Sequence, residues 1–81
     1  MELKILATYR VISPIEVEWT GNKITLEEGC EVQYNGQSTS KLGYKRFELL
    51  KGGGELEGAL IFIEDSKATE VYLALVWDPD I

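Results

Sequence analysis

The residue types that carry most enzyme chemistry are scarce in this sequence. It contains no histidine and one cysteine among 81 residues, so imidazole bases, catalytic triads and cysteine-rich zinc sites have no side chains to form them. Carboxylates are plentiful, but a proton-transferring pair needs a cleft that raises the pKa of one acid, and a chain of this length offers little depth for one. We therefore expect a protein without catalytic activity, metal or cofactor.

Glutamates follow the outer face of the first hairpin that the sequence predicts. Four of them point away from the apolar residues if the alternation of a strand holds: Glu16, Glu18, Glu27 and Glu31. Outward residues on a strand recur about every 6.7 Å, so these acids are expected to form a regular grid of carboxylates. A basic protein that binds phosphates could bind this grid, as small acidic antagonists of nucleic-acid-handling enzymes do, many of them made by phages. The other interpretation is an acidic face that keeps the sheet soluble and prevents edge-to-edge aggregation.

One short segment carries half of the basic residues, interleaved with Tyr44 and Phe47. These bases are Lys41, Lys45, Arg46 and Lys51. Bases between aromatic rings are typical of surfaces that bind single-stranded nucleic acid. The segment holds one of the 14 acids and four of the eight bases, so the rest of the chain keeps 13 acids against four bases and would repel a polyanion. Nucleic-acid binding by residues 41–51 is thus an unfavoured alternative.

Large aromatic side chains offer a further set of candidate binding residues. Trp19, Tyr72 and Trp77 could anchor an interface, although aromatics in so small a protein often fill the core. Together with the basic segment they could also line a pocket between two protomers. That arrangement predicts, as an alternative function, a homo-oligomer that binds or sequesters a small, nucleotide-like ligand.

Alternating apolar residues predict the strands that position these groups. A first strand of about nine residues ends at Ser13-Pro14. A hairpin follows with Gly21-Asn22 at its turn, so that Trp19 lies opposite Ile24 and Val17 opposite Leu26. The next strand runs from Cys30 to Tyr34 and ends at an Asn35-Gly36 turn.

The second half of the chain is harder to interpret. Residues 43–51 fit a short helix and a strand about equally. Residues 59–63 and 71–77 are apolar at odd and even positions alike. They predict a closing hairpin joined by the polar link 64–70. Both faces of that hairpin should be covered, by the segment 43–51, by a second protomer or by a partner protein.

These elements predict one all-β domain over residues 1–81, with six or seven antiparallel strands and at most one short helix. The spacing is typical of a small SH3-like or oligonucleotide-binding (OB-like) barrel, or of a compact sandwich. The sequence shows no membrane span or signal peptide, and its lone cysteine cannot form an internal disulfide, so we expect a cytoplasmic protein. We interpret it as a small acidic binding module whose partner is another, basic protein, with a homodimer possible and a phage-type inhibitor as the sharper hypothesis.

Overall fold

The computed structural model describes residues 1–81 and confirms the all-β prediction. Its seven strands are β1 (Thr8–Val11), β2 (Ile15–Trp19), β3 (Asn22–Leu26), β4 (Glu31–Gln37), β5 (Tyr44–Lys51), β6 (Leu60–Glu64) and β7 (Leu73–Trp77). The helical content is a single 3₁₀ turn, Gly54–Leu56. The molecule thus has no helix with the length and apolar character needed to cross a membrane.

All seven strands belong to one antiparallel sheet with the order β3-β2-β6-β5-β4-β1-β7. In this order β1 and β2 are four positions apart, yet only residues 12–14 link them along the chain. Four strand spacings in a flat sheet would measure about 19 Å, whereas the chain from Val11 to Ile15 reaches about 14 Å at most. The sheet must therefore curl around its concave face. It does not close into a barrel, so β3 and β7 remain its edges.

The concave face of the curled sheet holds the core. Residues at alternate positions of the central strands turn inward, as Val32 and Tyr34 do on β4 and Phe47 and Leu49 on β5. Fifteen buried apolar residues form one cluster, and burial of such side chains is the main favourable term in folding. Cys30 is part of this cluster, so its thiol is buried as an apolar group of the core.

The β2–β3 hairpin forms, but its predicted register is wrong by two residues. Trp19 lies opposite Asn22, and the turn residues are Thr20 and Gly21, both with positive φ. A shift of two keeps the same side chains inside. It also places Glu18 opposite Lys23, whereas the predicted register would have set Glu16 against Glu27. Opposite charges across the ladder favour the observed pairing.

Two boundaries in the first half of the chain differ from the prediction. The first strand is only four residues long, since Leu6 has a φ of 69° that interrupts an extended backbone. The Asn35-Gly36 pair does not end β4. It lies within the strand, where the register shifts between Tyr34 and Gly36 and Gly36 has a φ of 104°, which is the geometry of a β-bulge.

Of the ambiguous segment 43–51, Tyr44–Lys51 forms strand β5. The predicted closing hairpin does not form. β6 pairs with β2 and β5 in the interior of the sheet, while β7 pairs only with β1 at the edge. The link between them folds into short turns, with Ala68 buried and its N–H donating to the Glu64 carbonyl at 3.1 Å. β5 lies beside β6 and does not cover its outer face. The outer side of β6 leaves Leu60 exposed, and Leu75, Val76 and Trp77 are exposed on the edge strand β7.

Candidate functional site

A shallow cleft crosses the outer face of β2, β5 and β6. It encloses about 180 Å³ of space open to solvent and is lined by Glu16, Val17, Glu18, Lys23, Tyr44, Phe62, Glu64 and Lys67. Five of these eight residues are charged. Two of the five, Glu16 and Glu18, point outward because β2 alternates them with the inward Ile15 and Val17. The cleft is therefore a mixed-charge surface and lacks the apolar lining of a typical small-molecule site.

Glu18 is the most enclosed carboxylate of the cleft. Its Oε2 is buried and lies 3.0 Å from Lys41 Nζ, although no donor meets that oxygen at hydrogen-bonding angles. The Lys41 ammonium also stands 4.6 Å from the centroid of the Tyr44 ring, a distance suited to a cation–π contact. Lys41, and after it the Tyr44 hydroxyl, lower the pKa of Glu18 and outweigh its partial desolvation. Glu18 is thus ionised at neutral pH.

Tyr44 lies between two carboxylates. Its hydroxyl donates to Glu64 Oε1 at 3.2 Å, and Glu18 lies close by. The Glu18 carboxylate, partial removal from water and the Glu64 charge raise the pKa of Tyr44 to about 12, because ionisation would add a third negative charge to the site. Tyr44 is thus a neutral hydrogen-bond donor at neutral pH. Glu18 and Tyr44 are both held away from the pKa near 7 that proton transfer favours.

We expect the Tyr44→Phe variant to lose one tyrosine ionisation near pH 12. The folded protein keeps the Tyr44 proton after the unfolded chain, with a pKa of 10.0, begins to lose it. The stability that this group contributes is therefore complete below pH 10 and falls as the pH rises towards 12. Tyrosinate absorbance, recorded with circular dichroism at each pH, measures the step. An unchanged titration curve in the variant would contradict the assignment.

The predicted acidic face is not one continuous grid in the structure. Glu16 and Glu18 lie on β2, Glu31 begins β4, and β5 and β6 separate those two strands. Glu27 follows β3 in a turn. Glu16 approaches both Lys23 and Lys67 at 3.6 Å, and Glu31 pairs with Arg10 at 3.1 Å. Of the four predicted residues, only Glu27 has no basic partner.

The predicted basic patch is dispersed and largely engaged. Lys41 pairs with Glu18, and Lys45 Nζ lies 3.0 Å from Asp65 Oδ1. Arg46 donates from Nη2 to the Asn35 carbonyl at 3.2 Å on β4. Lys51 is exposed and forms no ion pair. Two of the four bases, Arg46 and Lys51, therefore keep a charge without a carboxylate partner.

The three predicted interface aromatics occupy different environments. Trp19 and Tyr72 are half-buried and pack against the core, which matches the core-filler interpretation. Trp77 is 55 % exposed on the edge strand β7. The structure therefore leaves Trp77 as the one of the three that is available for contact.

An acidic surface that the sequence did not predict lies at one end of the sheet. A Cβ on Gly52 would stand 2.9 Å from Cys30 Sγ, so the β5–β6 link closely approaches the β3–β4 turn. In that turn the Cys30 N–H donates to the Glu27 carbonyl at 3.3 Å, and in the link the Gly52 N–H donates to Glu57 Oε2 at 3.1 Å. We call the four exposed glutamates of these two segments the acidic pole: Glu27, Glu28, Glu55 and Glu57. Local patterning could not reveal it, because the two segments are distant in sequence.

Ion pairs elsewhere in the molecule leave the negative charge unbalanced. Six of the eight bases lie within 4.0 Å of a carboxylate: Lys4, Arg10, Lys23, Lys41, Lys45 and Lys67. These pairs involve seven of the 14 acids, so 14 minus 7 leaves seven carboxylates against two unpaired bases, Arg46 and Lys51. Four of those carboxylates form the acidic pole, where Lys51 is the nearest base along the chain.

No group of three or more acidic, cysteine or histidine side chains is arranged to hold a metal ion. Comparisons with protein-family models, with characterised proteins and with solved structures find no match to this chain. The candidate surfaces are therefore interpreted from their own geometry and charge.

Proposed function

We propose that this protein is a non-catalytic binding module whose partner is another protein with a basic surface. The observation that supports it is the set of seven unpaired carboxylates, four of them gathered in the acidic pole. Charge of one sign on an exposed surface attracts a protein of opposite charge and speeds its association. The four glutamates of the acidic pole form no ion pair within the molecule, so their charge is available to such a partner.

The finer form of the proposal is that the protein inhibits a nucleic-acid-handling partner. Basic surfaces that bind phosphates do so through lysine and arginine side chains, and those side chains pair equally well with carboxylates. A module that covers such a surface with the acidic pole would exclude nucleic acid. Addition of this protein to the partner should then release a labelled oligonucleotide in proportion to the amount bound.

The partner is to be identified by affinity capture from native cells with mass spectrometry, followed by binding measurements on the purified pair. We expect Glu28→Lys to slow association about threefold to tenfold, because the acidic pole contributes to electrostatic steering. Raising salt from about 0.05 M to about 0.5 M should slow the wild type further, since exposed charges are screened.

The control variant is Glu2→Lys, which changes the net charge equally. Glu2 lies outside the acidic pole, since the N-terminal segment joins β4 near Tyr34, towards the end away from Glu31. Its association rate should stay close to that of the wild type. Equal rates for the two variants, or a rate that is insensitive to salt, would refute a role for the acidic pole.

Small-ligand binding and nucleic-acid binding by residues 41–51 remain predictions with less support. The cleft is shallow and charged, and Lys41 and Lys45 are committed to ion pairs.

A further inference from the structure

The two edge strands of the sheet differ in a way that points to a second contact surface. β3 carries Lys23, and charged residues on an edge strand discourage pairing with other chains. β7 has the sequence Leu73-Ala-Leu-Val-Trp77, without charge or proline. Nothing in the side chains of β7 itself therefore prevents another strand from pairing with it.

The backbone of β7 has hydrogen-bonding groups that face outward. The Ile12 N–H donates to the Tyr72 carbonyl at 2.8 Å, which sets the phase of the β1–β7 ladder. In an antiparallel pair, the backbone N–H and C=O groups of alternate residues point towards the neighbouring strand. Those of Ala74 therefore point towards β1, while those of Leu73 and Leu75 point away from it. The Leu73 N–H is taken by the Thr69 carbonyl at 2.9 Å. The carbonyl of Leu73 and both backbone groups of Leu75 remain for an added strand.

Exposed apolar side chains accompany these groups. Val71, Leu75, Val76 and Trp77 are 67 %, 51 %, 41 % and 55 % exposed, although they lie within seven consecutive residues. A bulge lies between Leu75 and Trp77, where β1 passes directly from Tyr9 to Thr8, and it interrupts the alternation of the strand beside the exposed Val76 and Trp77. The bulge comes after the regular part of the edge, Tyr72 to Leu75. It thus adds apolar contact area and leaves that part free to pair.

The charges at the ends of β7 favour a strand with basic ends over a second copy of this chain as the strand that pairs with it. Glu70 precedes the strand without a basic partner, and Asp78 and Asp80 follow it and share the single base Lys4. A second copy paired antiparallel about Leu75 would bring the end of β7 that carries Glu70 in one protomer towards the end that carries Asp78 and Asp80 in the other, and like charges brought together across a strand pair are destabilising. An added strand with basic residues at its two ends would meet acids at both ends instead.

We propose that β7 binds an extended segment of the partner protein, with alternating apolar residues flanked by basic ones, as an eighth strand of the sheet. This inference rests on the proposed function for the nature of the partner. The backbone of Leu73 and Leu75 provides the hydrogen bonds, and Leu75, Val76 and Trp77 provide the apolar contact.

The test uses synthetic peptides of alternating valine and threonine, flanked by lysine pairs or by glutamate pairs. The lysine-flanked peptide should bind at least tenfold more tightly than the glutamate-flanked one, and proline in place of its central valine should abolish binding. Binding should also shift the tryptophan emission to shorter wavelength, because Trp77 leaves water. Failure of the lysine-flanked peptide to bind, or equal binding of all three, would overturn the proposal.

Matched variants locate the site. Leu75→Lys should weaken binding of the lysine-flanked peptide at least tenfold. Leu42→Lys makes the same change of charge at an 88 % exposed position and should have little effect on that binding. Circular dichroism of both variants checks that each is folded before binding is measured. A light-scattering mass twice that of one chain, lost in Leu75→Lys, would assign the edge to a second copy and refute the peptide assignment.

These results separate the two proposals. If pole variants slow association with the captured partner while no peptide binds β7, the edge inference fails and the proposed function stands. If the peptide binds β7 but charge reversal and salt leave the captured partner unaffected, the role of the acidic pole fails and the edge inference stands.

Discussion

Replacing Phe47 with alanine should destabilise the protein by about 3–5 kcal/mol, the usual loss for a buried phenylalanine. Phe47 has no exposed surface and lies on β5, the middle strand of the sheet. Its ring centroid is 5.3 Å from that of Tyr34 on β4, with the planes tilted by 50°. Such an aromatic pair adds about 0.5–1.5 kcal/mol beyond the area that is buried. A domain of this size has a total stability of about 4–12 kcal/mol, so the variant should lose a large part of its stability.

Phe62 provides the matched control for this substitution. Phe62 lies on β6, next to the buried Ile61 and opposite Arg46 of β5. Its half-buried ring lines the outer cleft. Phe62→Ala removes the same atoms from a site that water already reaches, so the loss should be well under half of that at Phe47. Urea denaturation of both variants, followed by circular dichroism, measures the difference. Equal losses would show that the core does not lie on the concave face.

The sequence was sufficient to predict the strands because their inner and outer residues alternate. On β4, Val32 and Tyr34 are buried while Glu31 and Gln33 are only half-buried, and period-two alternation is a local property that sequence reports directly. The same reasoning left residues 43–51 undecided. There Phe47 and Leu49 fit a helix as well as a strand until β4 and β6 pair on either side.

Strand neighbours were not predictable in the same way. The closing hairpin was expected because consecutive strands usually pair, but β6 inserts between β2 and β5, with Glu18 opposite Phe62. Pairing of this kind is decided by how the whole sheet buries its apolar faces. Apolar residues at both odd and even positions predict that both faces of β6 and of β7 are covered. In the structure β6 is an interior strand whose outer face leaves Leu60 exposed, and β7 is an exposed edge.

The candidate site was predictable only in its charge. Composition showed an acidic surface, and alternation showed that Glu16 and Glu18 point outward. Which acids remain free depends on where each lysine reaches, and Glu18 meets Lys41 through the fold. The acidic pole likewise depends on the approach of Gly52 to Cys30, which no local pattern records.

A second large loss of stability is expected from a substitution at Gly52, where the β5–β6 link approaches Cys30. Its φ of 90° is unfavourable for any other residue, and a Cβ there would stand 2.9 Å from Cys30 Sγ and 3.0 Å from Cys30 Cα. Since the second neighbour is backbone, a change of rotamer cannot relieve the overlap. We expect Gly52→Ala to destabilise the protein by about 2–4 kcal/mol, from backbone strain and overpacking together.

Gly58→Ala separates the two contributions. Gly58 has the same φ of 90°, but a Cβ there meets nothing within 4 Å, so this variant should show only the strain, about 1–2 kcal/mol. The excess at Gly52 measures how tightly the β5–β6 link is held against the β3–β4 turn. This contact holds the β3–β4 turn, which carries Glu27 and Glu28, against the link whose Gly52 N–H donates to Glu57. Gly52→Ala should therefore also slow association with a basic partner, whereas Gly58→Ala should not. Equal destabilisation by the two alanines in urea denaturation would mean that the two segments of the acidic pole are not in contact.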